Sequence, residues 1–321
     1  MTRPHLGITL GDPAGIGPEI VARALASGAL SDLGRMRLYG HAELFARAAA
    51  DAGIAMPPDG DAAGSGSDFT FAAVTDEPVP ADFRMGQPSA FTGRVAAAAV
   101  EAAARDALAG KIDAVVTAPL AKSALRSAGI THPGHTEFLA ELSGVDSVAM
   151  MFVAPGLRVT LATIHIPLAD VARTLTPELL GEIVRLTREA LITRAGIPDP
   201  SVAVLGLNPH AGEGGLFGDE EARIVEPAVR AAAARGWRVT GPHSADSFFL
   251  RQAGEHDAVI ALYHDQGLIP VKLLSEGRAV NVTLGLPFVR TSVDHGTAFD
   301  IAGKGTASAA SLVEAVRLAA A

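Results

Sequence analysis

Three histidines stand where metal-dependent chemistry could use them. His165 follows the apolar run Arg158–Ile164, His210 follows Ser201–Leu207, and His264 follows Asp257–Leu262. Each lies one to three residues beyond a segment whose composition predicts a β-strand. In open α/β sheets ligands gather at the carboxyl ends of strands. Neutral imidazole is the commonest protein ligand for a divalent metal such as zinc. Three of them, from three strand ends, could converge on one ion and leave a coordination position open for substrate. Taken singly, each is as well read as a polar loop residue; three at equivalent positions tip the reading toward a metal.

Two further groups invite the same double reading. Gly11, Asp12, Gly15 and Gly17 lie between a predicted strand, Gly7–Leu10, and a helix from about Pro18. The glycine pattern, G-x-x-x-G-x-G, is not the dinucleotide fingerprint G-x-G-x-x-G. It suits a cofactor-binding turn or simply a tight turn with a helix start, and Pro18 fits the first helical position. Lys272, Asn281 and Arg290 flank a predicted strand at Ala279–Leu284. They could form a pocket for a phosphate or carboxylate, or be solvated groups on different faces.

The elements that must position these residues are legible as an alternation. Predicted strands at Arg37–Gly40, Asp113–Thr117, Ser201–Leu207, Asp257–Leu262 and Ala279–Leu284 alternate with helical patterns at His41–Gly53, Thr92–Gly110, Pro177–Ala195, Asp219–Gly236 and Ser308–Ala320. Pro57 to Pro88 reads as loop with a short edge strand at Phe69–Val74. Val148–Val153 and Arg158–Ile164, separated by Ala154, Pro155 and Gly156, read as a hairpin. The pattern predicts an α/β fold with a largely parallel sheet and an antiparallel part. No linker cuts the chain cleanly, so two domains would be interleaved and share the sheet.

Composition narrows the class. At 321 residues there is chain for one large or two moderate domains, and 49% apolar with 19% charged residues is globular. A net charge of −9 without a basic cluster disfavours nucleic acid. The absence of cysteine excludes disulfides, thiolate zinc sites, iron–sulfur clusters and a cysteine nucleophile. No signal peptide and no membrane helix are expected, which gives an expectation of a soluble, cytoplasmic protein.

The segments Gly11–Ile20, Gly134–Phe138, Asn208–Gly215, Tyr263–Gly267 and Asn281–Gly305 resemble the 4-hydroxythreonine-4-phosphate dehydrogenase family of vitamin B6 biosynthesis. Gly15–Glu19 and His295–Gly305 are also similar to more distant isocitrate and isopropylmalate dehydrogenases. The resemblance implies an isocitrate/isopropylmalate-dehydrogenase-like fold, with two α/β domains around a cleft and a partly antiparallel shared sheet. Residues 1–130 with 290–321 would form the NAD-side domain, and 131–289 the metal, substrate and dimerisation domain. It implies metal ligands at His165, His210 and His264, drawn from both subunits of a homodimer. The metal would be one zinc, magnesium, manganese or cobalt ion per site. It implies substrate binding by His135, Thr136, Lys272, Asn281 and Arg290. The adenosine end of NAD, with NADP as the variant, would lie along His295, Gly296, Thr297, Ala298 and Asp300.

The implied reaction is oxidation of a secondary alcohol in a phosphorylated 3-hydroxy acid, with decarboxylation, the substrate being 4-phosphohydroxy-L-threonine. Asp246 and Asp265 are candidate bases, with helix N-capping and orientation of His264 as their alternative roles. Other activities on the same fold are dehydrogenation of 4-phospho-D-threonate or D-erythronate, and of a terephthalate cis-dihydrodiol. His243 stands where the resemblance implies an apolar residue, a departure that bears on the substrate and not on the reaction class. A silent NAD-binding homologue is the non-enzyme alternative.

Overall fold

The computed structural model describes residues 3–56, 69–132, 134–251 and 253–321. In chain order the elements begin β1 (His5–Thr9), α1 (Gly17–Ala26), β2 (Arg35–Gly40), α2 (Ala42–Asp51), β3 (Phe69–Ala73), α3 (Ala90–Leu108), β4 (Ala114–Thr117), α4 (Lys122–Ser127) and α5 (His135–Ser143). They continue with β5 (Ala149–Ala154), β6 (Leu157–Leu161), α6 (Leu168–Thr174), α7 (Pro177–Thr193), β7 (Val202–Leu205), α8 (Glu226–Ala234) and β8 (Val239–His243). The last are α9 (Ala245–Arg251), β9 (Ala258–Ala261), α10 (His264–Ser275), β10 (Val280–Leu284), β11 (Val289–Val293) and α11 (Ala310–Ala320).

The chain divides into two compact units, Met1–Asp146 with Leu286–Ala321, and Ser147–Gly285. The divisions thus fall at 146/147 and 285/286, where the sequence reading puts them at 130/131 and 289/290, and α5 stays with unit 1. In unit 1 the strand order is β3-β2-β1-β4-β11, parallel throughout. The apolar run of β4 is buried along its whole length, as a strand covered on both faces must be. Helix α3 starts with a reciprocal cap: Thr92 N donates to Ser89 Oγ and Ser89 N to Thr92 Oγ1.

Unit 2 has the strand order β10-β5-β6-β9-β7-β8. Strand β5 is antiparallel to both β10 and β6, while β6, β9, β7 and β8 run parallel. The side-chain period of two divides the core. Val202, Val204, Ala258 and Ile260 join one cluster with Leu180, Ile183 and Val184 of α7. Ala203, Leu205, Val259 and Ala261 join another with Leu268 and Val271 of α10. Helices on both faces are what a parallel run of strands requires. The α/β reading, the largely parallel strands and the central hairpin are present.

Several expectations need correction. Strand β8 and the short helices α4, α5, α6, α9 and α10 are additional to the sequence reading. The predicted helix Asp219–Gly236 is a π-type turn, Glu221–Val225, followed by α8. The predicted edge strand near Phe69 is β3, at the end of the strand order; the preceding 57–68 lie outside the described residues. Among the described residues no helix is long and apolar enough to cross a membrane.

Candidate active site

In unit 2, β6, β9 and β7 are adjacent and parallel, so their carboxyl ends share one edge. His165, His264 and His210 follow those ends. The strands stop earlier than the sequence suggests, at Leu161, Ala261 and Leu205. Hydrogen bonds tie the three ends together. Ala162 N donates to Ala261 O at 2.8 Å and Thr163 Oγ1 to Leu262 O at 2.7 Å. Gln266 Nε2 donates to Gly206 O at 2.7 Å, and its Oε1 accepts from Leu262 N at 2.6 Å.

The rings of His165 and His264 lie 5.6 Å apart, centroid to centroid. His264 Nδ1 is 2.7 Å from Asp265 Oδ1. An Nδ1–H donated there leaves the Nε2 lone pair available to a metal. His210 occupies a left-handed backbone conformation in the turn after β7, and its ring lies 6.3 Å from that of Phe217, tilted by 51°. Among the described residues of the single chain, no three His, Cys, Asp or Glu side chains are grouped to hold a metal. The structure therefore brings two of the three histidines together, and leaves His210 outside their group.

Asp246 sits in the first turn of α9, with Ser244 Oγ donating to its Oδ1 at 2.5 Å. That hydrogen bond, helped by nearby His210, holds its carboxyl below the usual range. Lys272 is exposed on α10. Asn281 lies on β10 opposite Phe152, and its Oδ1 is buried without a hydrogen-bond partner.

Unit 1 holds the other substrate candidates. Arg290, on β11, is 2% exposed and donates through Nη2 to Thr117 Oγ1 at 2.7 Å. Burial pushes its guanidinium down to about 10, opposed by the Glu137 carboxylate, so it stays charged near neutrality. His135 opens α5 and Thr136 beside it is buried. His135 is half-exposed as a residue, but its Nε2 is sealed and unpartnered. Desolvation first, and then the Arg290 charge, hold the imidazole well below its ordinary value. A buried guanidinium beside a neutral imidazole with an unmatched nitrogen suits an oxyanion.

The glycine turn and the 295–300 segment are also together in unit 1. Ile16 N donates to Thr297 O at 3.0 Å, and a Cβ on Gly15 would lie 3.0 Å from Thr297 Cβ. Gly11 has φ +70°, and a Cβ there would lie 2.1 Å from Pro119 O; one on Gly17 would lie 2.1 Å from Leu10 O. These two glycines are demanded by packing whatever else the turn does. Asp12 is fully buried and accepts from Ala14 N at 2.9 Å and Thr92 Oγ1 at 3.2 Å, so it braces the turn from within. Burial raises its carboxyl to about 6. His295, Gly296 and Asp300 are exposed, and Ala298 is left-handed with φ +42°.

Sequence reasoning passed over Thr117, Glu137 and Gln266. Thr117 merely ends an apolar strand, and the other two stand inside quoted segments without a distinguishing pattern. Residues 33–319 match the family described as pyridoxal phosphate biosynthetic protein PdxA. The chain belongs to that family, a family of dehydrogenases. It is 46% identical to a 4-hydroxythreonine-4-phosphate dehydrogenase of Geobacter metallireducens, over 99% of this chain and 95% of that one. It is equally 46% identical to a Symbiobacterium thermophilum protein provisionally named D-threonate 4-phosphate dehydrogenase, over 99% and 96%. A crystal structure of the Klebsiella pneumoniae 4-hydroxythreonine-4-phosphate dehydrogenase is similar, with a TM-score of 0.88, 42% identity and 98% of each chain covered.

Proposed function

We propose that the chain is an NAD-dependent, divalent-metal-dependent dehydrogenase. It oxidises the secondary alcohol of a phosphorylated 3-hydroxy acid and releases the carboxylate as CO2. The proposed substrate is 4-phosphohydroxy-L-threonine, in pyridoxal phosphate biosynthesis. The observation that carries the reading is the sealed pair of Arg290 and His135. A phosphate there would accept from the guanidinium and from His135 Nε2–H. Thr136 follows His135 at the start of α5, and Asn281, with its unmatched Oδ1, and Lys272 are the substrate candidates that unit 2 carries.

The strand ends of unit 2 carry two of the three nitrogen ligands that this reading gives a divalent ion. His165 and His264 are within ring contact, and Asp265 is placed to fix the His264 tautomer. Nitrogen ligands favour a transition metal over magnesium. His210 is the third ligand in this reading, supplied across a homodimer. When bound, the metal lowers the pKa of the substrate hydroxyl, and NAD takes the hydride. The C–H electron pair leaves with the hydride and the hydroxyl proton goes to a base; the C–C bond to the carboxylate β to the new ketone then breaks, CO2 departs, and the electron pair left on the α-carbon, delocalised as an enolate, takes up a proton. Asp246 is a weak base because Ser244 holds its carboxyl low, and Asp265 is engaged with His264. Residues 295–300, packed against the glycine turn, would hold the adenosine of NAD. The fold is of the isopropylmalate-dehydrogenase type, with unit 1 as its NAD side.

Unit 2 supports the dimer. Leu250 (86% exposed), Leu273 (75%), Leu216 (72%), Ile269 (59%) and Leu274 (56%) are apolar surface that a second copy would cover. The D-threonate name of an equally similar relative favours 4-phospho-D-threonate as the second reading.

One assay separates these. Formation of NADH is followed with 4-phosphohydroxy-L-threonine, 4-phospho-D-threonate, 4-phospho-D-erythronate and the terephthalate dihydrodiol, each with and without a chelator. The expected result is fastest turnover of the first, abolished by chelation. Preference for another substrate reassigns the reaction, and no turnover of any makes the chain a silent homologue.

A further inference from the structure

Unit 2 contains a run of backbone that its side chains resist. His210, Ala211, Gly212, Glu213 and Gly214 have φ of 53°, 53°, 79°, 44° and 65° in succession. Three of them carry a Cβ, which disfavours the left-handed region. Such a run persists only where its surroundings over-determine it.

Those surroundings converge on Glu221. It is 4% exposed and opens the π-type turn before α8. Its Oε1 accepts from Leu207 N at 2.8 Å and from Asn208 N at 2.7 Å, and its Oε2 accepts from Asn208 Nδ2 at 3.0 Å. Asn208 Nδ2 also donates to Glu220 Oε2 at 2.8 Å, and Asn208 O accepts from Ala211 N at 3.1 Å. The carboxylate fills the inside of the turn. A Cβ on Gly212 would lie 2.7 Å from Glu221 Oε2, and one on Gly206 3.2 Å from Oε1. The segment entering the turn is therefore held by Glu221, which takes both backbone N–H groups, with Glu220 sharing only the Asn208 amide.

We infer that Glu221 is the positioning residue of the metal centre. By gathering the two backbone N–H groups and the Asn208 amide, it fixes the left-handed turn and with it the His210 imidazole. The inference rests on the reading above in which His210 is a ligand. Groups that orient a ligand without touching the metal typically change metal affinity or activity by about 10–100-fold when lost. Glu221→Gln keeps the size of the side chain and replaces one acceptor with a donor. Its NH2 would then face either the two backbone N–H groups or the Asn208 amide.

The test titrates cobalt(II) alone into the full-length protein and follows its d–d absorption, with thermal unfolding as a check on folding. The variants are H210A, E221Q, G212A and G214A. Both glycine variants place a Cβ at positive φ, but only the Gly212 one meets Glu221; at Gly214 there is nothing within 4 Å. Expected are loss of binding in H210A, about 10–100-fold weaker binding in E221Q and G212A, and affinity within about twofold of wild type in G214A. With cobalt raised above its weakened Kd, E221Q should recover kcat with KM for the hydroxy acid little changed, which H210A cannot do.

Wild-type affinity in E221Q overturns the inference while leaving the metal reading intact, provided H210A has lost the ion. Wild-type affinity in H210A overturns both. If E221Q does not fold, the glycine pair decides: selective weakening in G212A supports the inference, and equal effects of the two overturn it.

Discussion

Arg290 has a donor fork of which one arm is already oriented by Thr117, with Glu137 nearby to keep its charge and His135 beside it kept neutral. An oxyanion meeting that group finds a cation whose desolvation has already been met in folding. Replacing Arg290 by Ala should raise KM for the phosphorylated substrate by the worth of a charge-assisted hydrogen bond, about 1.5–3 kcal/mol or roughly 10–100-fold. Arg290→Lys should recover only part of this, because an ammonium lacks the planar fork. Steady-state kinetics in which KM stays at the wild-type value in both variants would place the phosphate elsewhere. Of this cluster Arg290 and His135 were legible through a family resemblance. Thr117 was not, because a threonine at the end of a buried strand looks the same whether or not a guanidinium leans on it.

At the level of elements, the glycine turn between β1 and α1 gives a pH prediction. Asp12 has its carboxyl raised from 3.8 to about 6, with burial as the largest cause. The folded protein thus binds more protons than the unfolded chain between those values. Its contribution to stability is present below about 4 and is lost as pH rises through about 6. Asp12→Asn removes that titration and keeps an acceptor for Ala14 N. Denaturant unfolding should find D12N at least as stable as wild type at about pH 7, by up to roughly 3 kcal/mol. The difference should shrink toward about pH 4. A D12N penalty that is constant with pH would mean that the carboxylate is not the strained group. The long helices and the parallel strands were readable because their periods extend over many residues or because they are unbroken apolar runs. Helix α10 was not, since Gly267 and Pro270 read as breakers, whereas in the fold Gly267 packs closely on Val159, Leu161 and Ala261 and Leu268 and Val271 enter the core. Strand β8 contains Gly241 and Pro242, which read as a turn. The left-handed conformation of His210 and Ala211 was not readable, since Glu221, which holds the preceding Leu207 and Asn208, comes from a later element.

For the whole molecule, the proposed sharing of the metal site between subunits makes its own prediction. If His165 comes from one chain and His210 from its partner, two inactive variants should complement. After subunit exchange, half the dimers of H165A and H210A are mixed, and each has one intact site of two. Activity should return to about a quarter of wild type. Exchange is verified by mass analysis. No recovery in exchanged dimers would put both histidines of a site on the same chain.

Gln266 spans from Leu262 N to Gly206 O, so a single amide group belongs at once to the ends of β9 and β7. Leu262 N–H is thereby shielded by a side chain, and its exchange with solvent gauges both loops rather than one. A disturbance after β7 that releases Gly206 should be felt as faster deuterium uptake at Leu262. The loops carrying His210 and His264 are in that sense geared: neither can drift far without slackening the amide that also registers the other.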